Sequence, residues 1–299
     1  MMLGWHVIYG IVRLGARLAQ VLPINRAYDI AGFVFGWSFQ LWSTKRRHTQ
    51  ENVARILDQH PDHPAVQQLA HDAWRNFGKY MVEFLRMPAM QPADLAQLVT
   101  VQGVPILERA LAHPQGVIFV QAHFGNMDLP STVLSRYNRA AVVAADSLKP
   151  PAMMRWAKRT RARWNLDLVP NKGCLPILQK TLEAGGLVGL AVDVGVHQKG
   201  KGIGVKFFGE DSTFPAGPAL LAQRTNAVIV PTCAIRQPNG RFTVVVDEPV
   251  VFQFTGDLAH DLQVVTQKMV HRLEAFIRAH PEQWYIFRPV WRSGRSSSL

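Results

Sequence analysis

The stretch that decides the fold is GVIFVQAHFGNMDLP, residues 116–130. It begins with a short run of β-branched and aromatic residues, which is typical of a buried strand. A histidine, His123, follows this run directly, and an aspartate, Asp128, comes five residues later. Gly125 and Asn126 lie between them, and both residue types favour turns. The stretch therefore predicts a strand that ends at a polar turn and leads into a helix.

Short runs rich in valine, isoleucine and alanine recur beyond this stretch and alternate with helical segments. The predicted strands are GVIFVQA (116–122), RAAVVAA (139–145), GLVGLAVD (186–193), AVIVPTCAI (227–235) and FTVVVDEPV (242–250). Strands that alternate with helices indicate a largely parallel sheet covered on both faces. We expect a single α/β domain with a central, mostly parallel mixed sheet flanked by helices, plus an N-terminal apolar helical hairpin.

The N-terminal 42 residues are rich in large apolar side chains. No uninterrupted apolar run reaches the roughly 20 residues that span a bilayer, and the features of a signal peptide are not evident. Residues 30–42 carry no charge, and Lys45, Arg46 and Arg47 follow them. This pattern fits a helical hairpin that lies in the membrane interface with its basic end near anionic headgroups. The alternative is a pair of buried helices in a soluble domain.

The N-terminal pattern also gives a division of the chain. We expect membrane-associated helices over residues 1–45 and the α/β domain over residues 46–299, the two forming one structural unit.

The chain is strongly basic. Its 33 lysines and arginines against 21 aspartates and glutamates give a formal net charge of +12. Such an excess attracts polyanions: nucleic acid, an anionic membrane surface or phosphorylated substrates. The charges are scattered, and basic motifs interleaved with aromatic residues are missing, so nucleic acid is not an expected partner. An anionic membrane surface is an expected partner.

The sequence indicates no metal site. Cys174 and Cys233 lie too far apart for a metal knuckle or a disulfide framework. His60, His63 and His71 are the nearest candidates for metal ligands, but the first two belong to HPDHP (60–64), which is typical of a solvated loop.

A second candidate ligand site is the glycine-rich segment GKGIGVKFFG, residues 200–209. It lacks the Lys-Ser/Thr pair of a phosphate-binding loop and the glycine spacing of a dinucleotide turn. We expect a mobile basic loop whose lysines 199, 201 and 206 are able to meet phosphate.

His123 is the leading candidate for chemistry. Ligands of open α/β sheets collect at the carboxyl ends of strands, where the predicted strand places it. Asp128, near the start of the next helix, is able to accept a hydrogen bond from the imidazole and so fix its tautomer. A positioned base contributes about 10²–10⁴-fold to a rate. The alternative is that Asp128 caps the helix and His123 is incidental, and the residues alone leave both open.

No protein nucleophile accompanies the pair. The sequence contains neither a G-x-S-x-G elbow nor a cysteine in a strand-to-helix turn, so a covalent acyl-enzyme is not expected. A His–Asp pair without its own nucleophile indicates that the substrate supplies one, such as a hydroxyl.

Five segments together resemble the lipid A biosynthesis acyltransferase family, of the lysophospholipid acyltransferase-like superfamily. They are HFGNMD (123–128), the run from VDVGV to AVIVP (192–231), RRHTQENVARIL (46–57), FGKYMVEFLR (77–86) and HPEQWYIFRPVW (280–291). The family includes lauroyl- and myristoyltransferases and the phosphatidylinositol mannoside acyltransferases. The resemblance implies O-acyl transfer from acyl-CoA or acyl-carrier protein to a hydroxyl of a membrane glycolipid, with no further cofactor. It also implies the cytoplasmic face of the inner membrane, in peripheral, monotopic or single-pass form.

The resemblance also implies roles for the pair and for a third acidic residue. His123 and Asp128 match the H-x4-D/E pair of base and orienting acid. Asp193 matches an acidic position after a later strand that assists the histidine.

Three further residues are implied as substrate-binding. Arg161 falls where the family tends to keep an arginine ahead of a glycine. Asn165 stands in place of that glycine, so Arg163 is an equal candidate. Asp146 follows another strand and faces the same cleft.

Residues 213–222, TFPAGPALLA, resemble the F-P-E-G block of glycerophospholipid acyltransferases, with Ala216 in place of the acid. This departure weighs against a glycerol-phosphate acceptor held there. Gly217 either starts a helix whose amides bind an anion or merely starts a helix.

The alternative functions are a lysophospholipid or glycerolipid acyltransferase and a non-catalytic basic membrane-binding protein.

Overall fold

The structure, a computed structural model, describes residues 2–137, 139–194 and 202–291, with side chains from residue 9 onward. Within these residues it contains nine strands. They are β1 (Val99–Gln102), β2 (Val117–Gln121), β3 (Ala141–Ala145), β4 (Leu166–Pro170), β5 (Leu187–Ala191), β6 (Ile203–Phe207), β7 (Glu210–Phe214), β8 (Val228–Arg236) and β9 (Phe242–Val246). The five predicted strands are all present, and β1, β4, β6 and β7 are additional.

Eleven α-helices accompany these strands in the described part of the chain. They are α1 (Met2–Val21), α2 (Ile24–Leu41), α3 (Ser43–Leu57), α4 (Pro64–Arg86), α5 (Pro92–Leu98), α6 (Val104–Leu111), α7 (Leu129–Leu134), α8 (Pro151–Ala162), α9 (Leu175–Glu183), α10 (Gly217–Thr225) and α11 (Leu258–Ala279).

Seven strands form one sheet in the order β1-β9-β8-β2-β5-β3-β4, with β2 in the middle. Every neighbouring pair is parallel except β8 and β9. The predicted α/β domain with a mostly parallel sheet is therefore confirmed. Its topology gathers the residues that follow β2, β5, β3 and β4 along one edge.

Helices cover both faces of this sheet. Ile118 and Val120 of β2 face a core shared with α9, α10 and α11. Val117 and Phe119, which alternate with them, face a second core shared with α6 and α7. All four residues are buried, which explains why β2 reads as a continuous apolar run instead of an alternating one.

The prediction of a mobile basic loop at residues 200–209 is wrong for the described part of this segment. Residues 203–207 form β6, which pairs in antiparallel register with β7. Lys206 is exposed, and its Nζ lies 2.9 Å from Asp211 Oδ1. Lysines 199 and 201 lie outside the described residues.

The first two helices pack against α4 on one side. Gly78 of α4 shows how closely, because an added Cβ there would lie 2.7 Å from the main-chain oxygen of Ala31 in α2. The proposed boundary at residue 45 falls inside α3, which begins at Ser43.

The other side of these two helices is apolar and exposed. We call this surface the apolar face of α1 and α2. It consists of Ile11, Leu14, Leu18, Val21, Ile30, Phe33, Val34, Trp37 and Leu41, with Trp42 directly after α2. Of the helices that the structure describes, none is long and apolar enough to cross a membrane.

Candidate active site

His123 and Asp193 form a hydrogen-bonded pair at the carboxyl edge of the sheet. The His123 Nδ1 atom lies 2.6 Å from Asp193 Oδ1, and the main-chain N–H of His123 donates to Asp193 Oδ2 at 2.8 Å. The strand register explains the pairing. Gln121, the last residue of β2, is opposite Ala191 of β5, and each partner lies two residues beyond its strand.

Asp193 is fully buried and held by three donors. Besides the two bonds from His123, its Oδ2 accepts a hydrogen bond of 2.7 Å from Trp284 Nε1. Burial raises the pKa of this carboxyl, but the charge of His123 and these hydrogen bonds outweigh burial and hold the pKa below its ordinary value. Asp193 is therefore a carboxylate that only accepts hydrogen bonds.

The acceptor at Nδ1 sets the tautomer of His123. Because Asp193 only accepts, Nδ1 carries the proton and Nε2 is left with its lone pair. Burial lowers the pKa of His123, but the charge and hydrogen bond of Asp193 outweigh burial, so the pKa lies above its ordinary value. Asp146 adds to this rise and Arg288 opposes it. With 31% of its side chain exposed, His123 is an accessible base.

Asp128 occupies a different environment from the predicted one. Arg161 Nη2 lies 2.5 Å from its Oδ1, and the Tyr80 hydroxyl donates to its Oδ2 at 3.2 Å. A hydrogen bond to His123 is not among its contacts with the described residues. The partner of His123 Nδ1 is therefore Asp193. The predicted hydrogen bond between His123 and Asp128 is wrong.

The capping alternative for Asp128 is also wrong, because its side chain makes no capping bond. Asn126 does this instead, since its Oδ1 accepts from the main-chain amides of Asp128 at 3.0 Å and Leu129 at 3.1 Å. These bonds fix the start of α7 and with it the position of Asp128.

Gly125 allows the turn between His123 and Asp128. Its φ of +56° is in the left-handed region, and an added Cβ would lie 1.7 Å from the main-chain oxygen of Ala234. Any larger residue would push the turn away from β8.

A buried ion pair between α4 and β8 supports the same turn. Glu83 of α4 lies 2.6 Å from Arg236 Nε of β8, and it also accepts hydrogen bonds from Tyr28 at 2.9 Å and Asn126 at 2.8 Å. Sequence reasoning missed this network. Its signal was an acidic residue on the apolar face of a helix in FGKYMVEFLR.

The three predicted substrate-binding residues are separated in the structure. Arg161 is buried on Asp128, with its guanidinium 5.3 Å from the Phe84 ring. Arg163 is exposed and donates to the main-chain oxygen of Pro88. Asp146 is exposed at the end of β3 and accepts a hydrogen bond of 2.8 Å from Asn171. Of the three, only Asp146 follows a strand, β3, that ends at the same sheet edge as the strand before His123.

The described residues hold no group of three or more histidine, cysteine, aspartate or glutamate side chains able to bind a metal ion. Cys174 and Cys233 are free thiols, and Cys233 is buried.

Comparison with known proteins gives the class of this fold and site. Residues 4–293 match the family described as bacterial lipid A biosynthesis acyltransferase. Because the match spans nearly the whole sequence, the chain belongs to this family and is an acyltransferase.

Two similar proteins come from mycobacteria. The phosphatidylinositol mannoside acyltransferase of Mycobacterium tuberculosis (strain CDC 1551 / Oshkosh) is 28% identical over 256 residues, 83% of this chain and 78% of the relative. That of Mycolicibacterium smegmatis is 25% identical over 281 residues, 93% of this chain and 89% of the relative. The resemblance inferred from the sequence segments is thereby confirmed.

Proposed function

We propose that the protein transfers a fatty acyl chain from acyl-CoA or acyl-carrier protein to a hydroxyl of a membrane glycolipid, with His123 as the general base. The observation that carries this proposal is the hydrogen bond of 2.6 Å between His123 Nδ1 and Asp193, which leaves Nε2 free at an accessible position. The name of the mycobacterial relatives supports an acceptor of the phosphatidylinositol mannoside type, and the family description supports a lipid A precursor.

The transfer proceeds without a covalent enzyme intermediate. His123 Nε2 accepts the proton of the acceptor hydroxyl while the hydroxyl oxygen attacks the carbonyl carbon of the thioester. Asp193 stabilises the imidazolium that forms. The tetrahedral intermediate collapses, the C–S bond breaks, and the departing thiolate takes the proton from Nε2. The products are an ester and a free thiol.

A small apolar cavity of about 30 Å³ on one face of the sheet supports a site for the end of the acyl chain, because it has room for a group the size of one water molecule or methylene. It lies between α7 and the face of the sheet that carries Phe119, Val143 and Gly189, and its few polar lining side chains include Gln121 and Ser131. Gln121 is the last residue of β2 and precedes His123 by two residues. The cavity therefore borders the end of the strand that leads to the proposed base, and most of its other lining residues are apolar.

Replacing Gly189 with valine is expected to shift the donor preference toward shorter acyl chains. An added Cβ would lie 3.2 Å from Val143 Cγ2, so the larger side chain narrows the cavity. Loss of space for a methylene changes selectivity by about tenfold or more. The measurement is kcat/KM for a series of acyl-CoA chain lengths. Gly204→Val is the matched control, because nothing lies within 4 Å of its added Cβ; equal profiles for both variants would exclude this cavity.

The apolar face of α1 and α2 supports a location at the cytoplasmic face of the inner membrane, peripheral or monotopic. Phe33 is 74% exposed and Trp37 61% exposed. Lys45 follows this face, with its Nζ 5.8 Å from the Trp42 ring centre. Apolar side chains beside basic ones are the pattern of a helix in the interface of an anionic bilayer.

Replacing both Phe33 and Trp37 with glutamate is expected to lower binding to anionic vesicles, because two charges would enter the apolar part of the interface. Vesicle flotation measures the bound fraction. Leu258→Glu is the matched control, since Leu258 is also an exposed apolar helix residue, 48% exposed, but on α11. Unchanged flotation of the double variant would reject this surface as the membrane contact.

The acceptor class is tested by offering purified protein acyl-CoA or acyl-carrier protein together with a phosphatidylinositol mannoside, a lipid A precursor or a lysophospholipid. We expect mass spectrometry to detect an added acyl ester on a glycolipid and not on the lysophospholipid. Acylation of the lysophospholipid alone would overturn the glycolipid assignment.

A further inference from the structure

The C-terminal segment Gln283–Tyr285 contacts the main chain of the proposed base. Gly125 N–H donates to Gln283 O, and Tyr285 N–H donates to His123 O, both at 2.8 Å. Between them, Phe124 and Trp284 form an isolated antiparallel bridge. Three consecutive residues thus hold the strand end that carries His123.

The side chain of Trp284 extends this contact to the acid. Its Nε1 donates to Asp193 Oδ2 at 2.7 Å. The ring is 3% exposed and packs edge-on against Phe207 and Trp291, with ring centres 6.0 and 6.2 Å away. Because neighbouring rings fix the indole, its N–H has a fixed direction toward the carboxylate.

We propose that Trp284 is a positioning residue for acyl transfer, which acts on His123 through Asp193; the inference rests on the proposed function. The indole N–H and the main-chain N–H of His123 both bind Oδ2, which leaves Oδ1 for the imidazole. Without the indole donor, Oδ2 keeps one of its two donors and the carboxylate is free to rotate. A donor on Oδ2 also stabilises the charged carboxylate, so that Asp193 binds the imidazolium without taking its proton.

A purely structural role for Trp284 is the competing explanation, and Trp291 provides the matched control. Trp291 is 4% exposed, lies in the same aromatic cluster, and donates its Nε1 proton to the main-chain oxygen of Phe207 at 2.9 Å. Trp291→Phe therefore removes a buried tryptophan and its hydrogen bond without touching Asp193.

The test compares Trp284→Phe and Trp291→Phe with a protein in which β-(3-benzothienyl)alanine replaces Trp284. This analogue keeps the ring shape but has sulfur in place of the N–H. We expect both Trp284 variants to lower kcat by about 10–100-fold, the effect of a hydrogen bond to a charged group, with little change in either KM. Trp291→Phe keeps an aromatic ring beside the indole, so it should keep kcat close to that of the unaltered protein.

A pH profile separates positioning from packing. Asp193, Asp146 and Arg288 are the charged groups that act on His123, and the substitutions retain all three. Without the indole donor, the negative charge of Asp193 acts more strongly on the imidazole and raises the pKa of His123. The acidic limb of kcat/KM therefore moves to higher pH. Trp291→Phe should leave that limb in place.

The His123 Nδ1 proton gives a readout that does not need activity. Its NMR resonance should move in the benzothienylalanine protein and remain in place in Trp291→Phe. An unmoved resonance, or an unchanged kcat and pH profile, would overturn the role of Trp284. Failure of the proposed function is distinct, because the unaltered protein would then transfer no acyl chain.

Discussion

The variant His123→Ala is expected to lose about 10²–10⁴-fold in kcat for acyl transfer, the contribution of a positioned general base. Alanine leaves no group to accept the hydroxyl proton, while the main-chain bonds to Gln283 and Tyr285 remain. Initial rates of thiol release from acyl-CoA in the presence of a glycolipid acceptor measure the loss.

Vesicle binding of this variant should be unchanged, because the apolar face of α1 and α2 keeps all its residues. His60→Ala is a suitable control, since the His60 side chain is 73% exposed and lies in a turn away from the sheet edge. If His123→Ala turns over substrate at the rate of His60→Ala, the proposed base is wrong.

The second large effect is expected for Asp193→Asn, which should lower kcat by up to about 10⁴-fold. An amide in this place is able to donate to Nδ1, which favours the tautomer with the proton on Nε2 and blocks proton acceptance. The substitution also removes the charge that raises the pKa of His123. Burial then lowers the pKa below its ordinary value, so the acidic limb of kcat/KM should move to lower pH.

Asp128→Asn is the informative comparison for this experiment. It removes the charged partner of the buried Arg161, and an uncompensated buried charge costs about 3–5 kcal/mol of stability. We expect a lower denaturation midpoint and an acidic limb that stays in place. The reverse result, a shifted limb in Asp128→Asn and none in Asp193→Asn, would return the orienting role to Asp128.

Local sequence patterns predicted the strand, the turn and the position of His123 correctly. The β-branched run of β2 and the turn residues Gly125 and Asn126 act over a few residues, so their effect can be derived from neighbours in the chain. The buried faces of long amphipathic helices, such as α4 and α11, also follow from periodicity in the chain.

The partners of His123 and Asp128 required the fold. Asp193 meets His123 because β5 lies beside β2 in the sheet, and no local pattern gives that strand order. Arg161 reaches Asp128 from a separate helix, α8, and Trp284 enters from the far end of the chain. The short distance in sequence suggested Asp128 as the partner of His123, whereas the pairing of β2 with β5 places Asp193 beside it.

The bridge between Phe124 and Trp284 joins segments that are synthesised at different times. The segment Gln283–Tyr285 follows the nine described strands and the long helix α11 in the chain, so it is made after them. Contacts between such distant segments form late in folding. A growing chain therefore lacks the hydrogen bonds between Gln283–Tyr285 and the strand end that carries His123, and the Trp284 donor to Asp193, until this segment has been added.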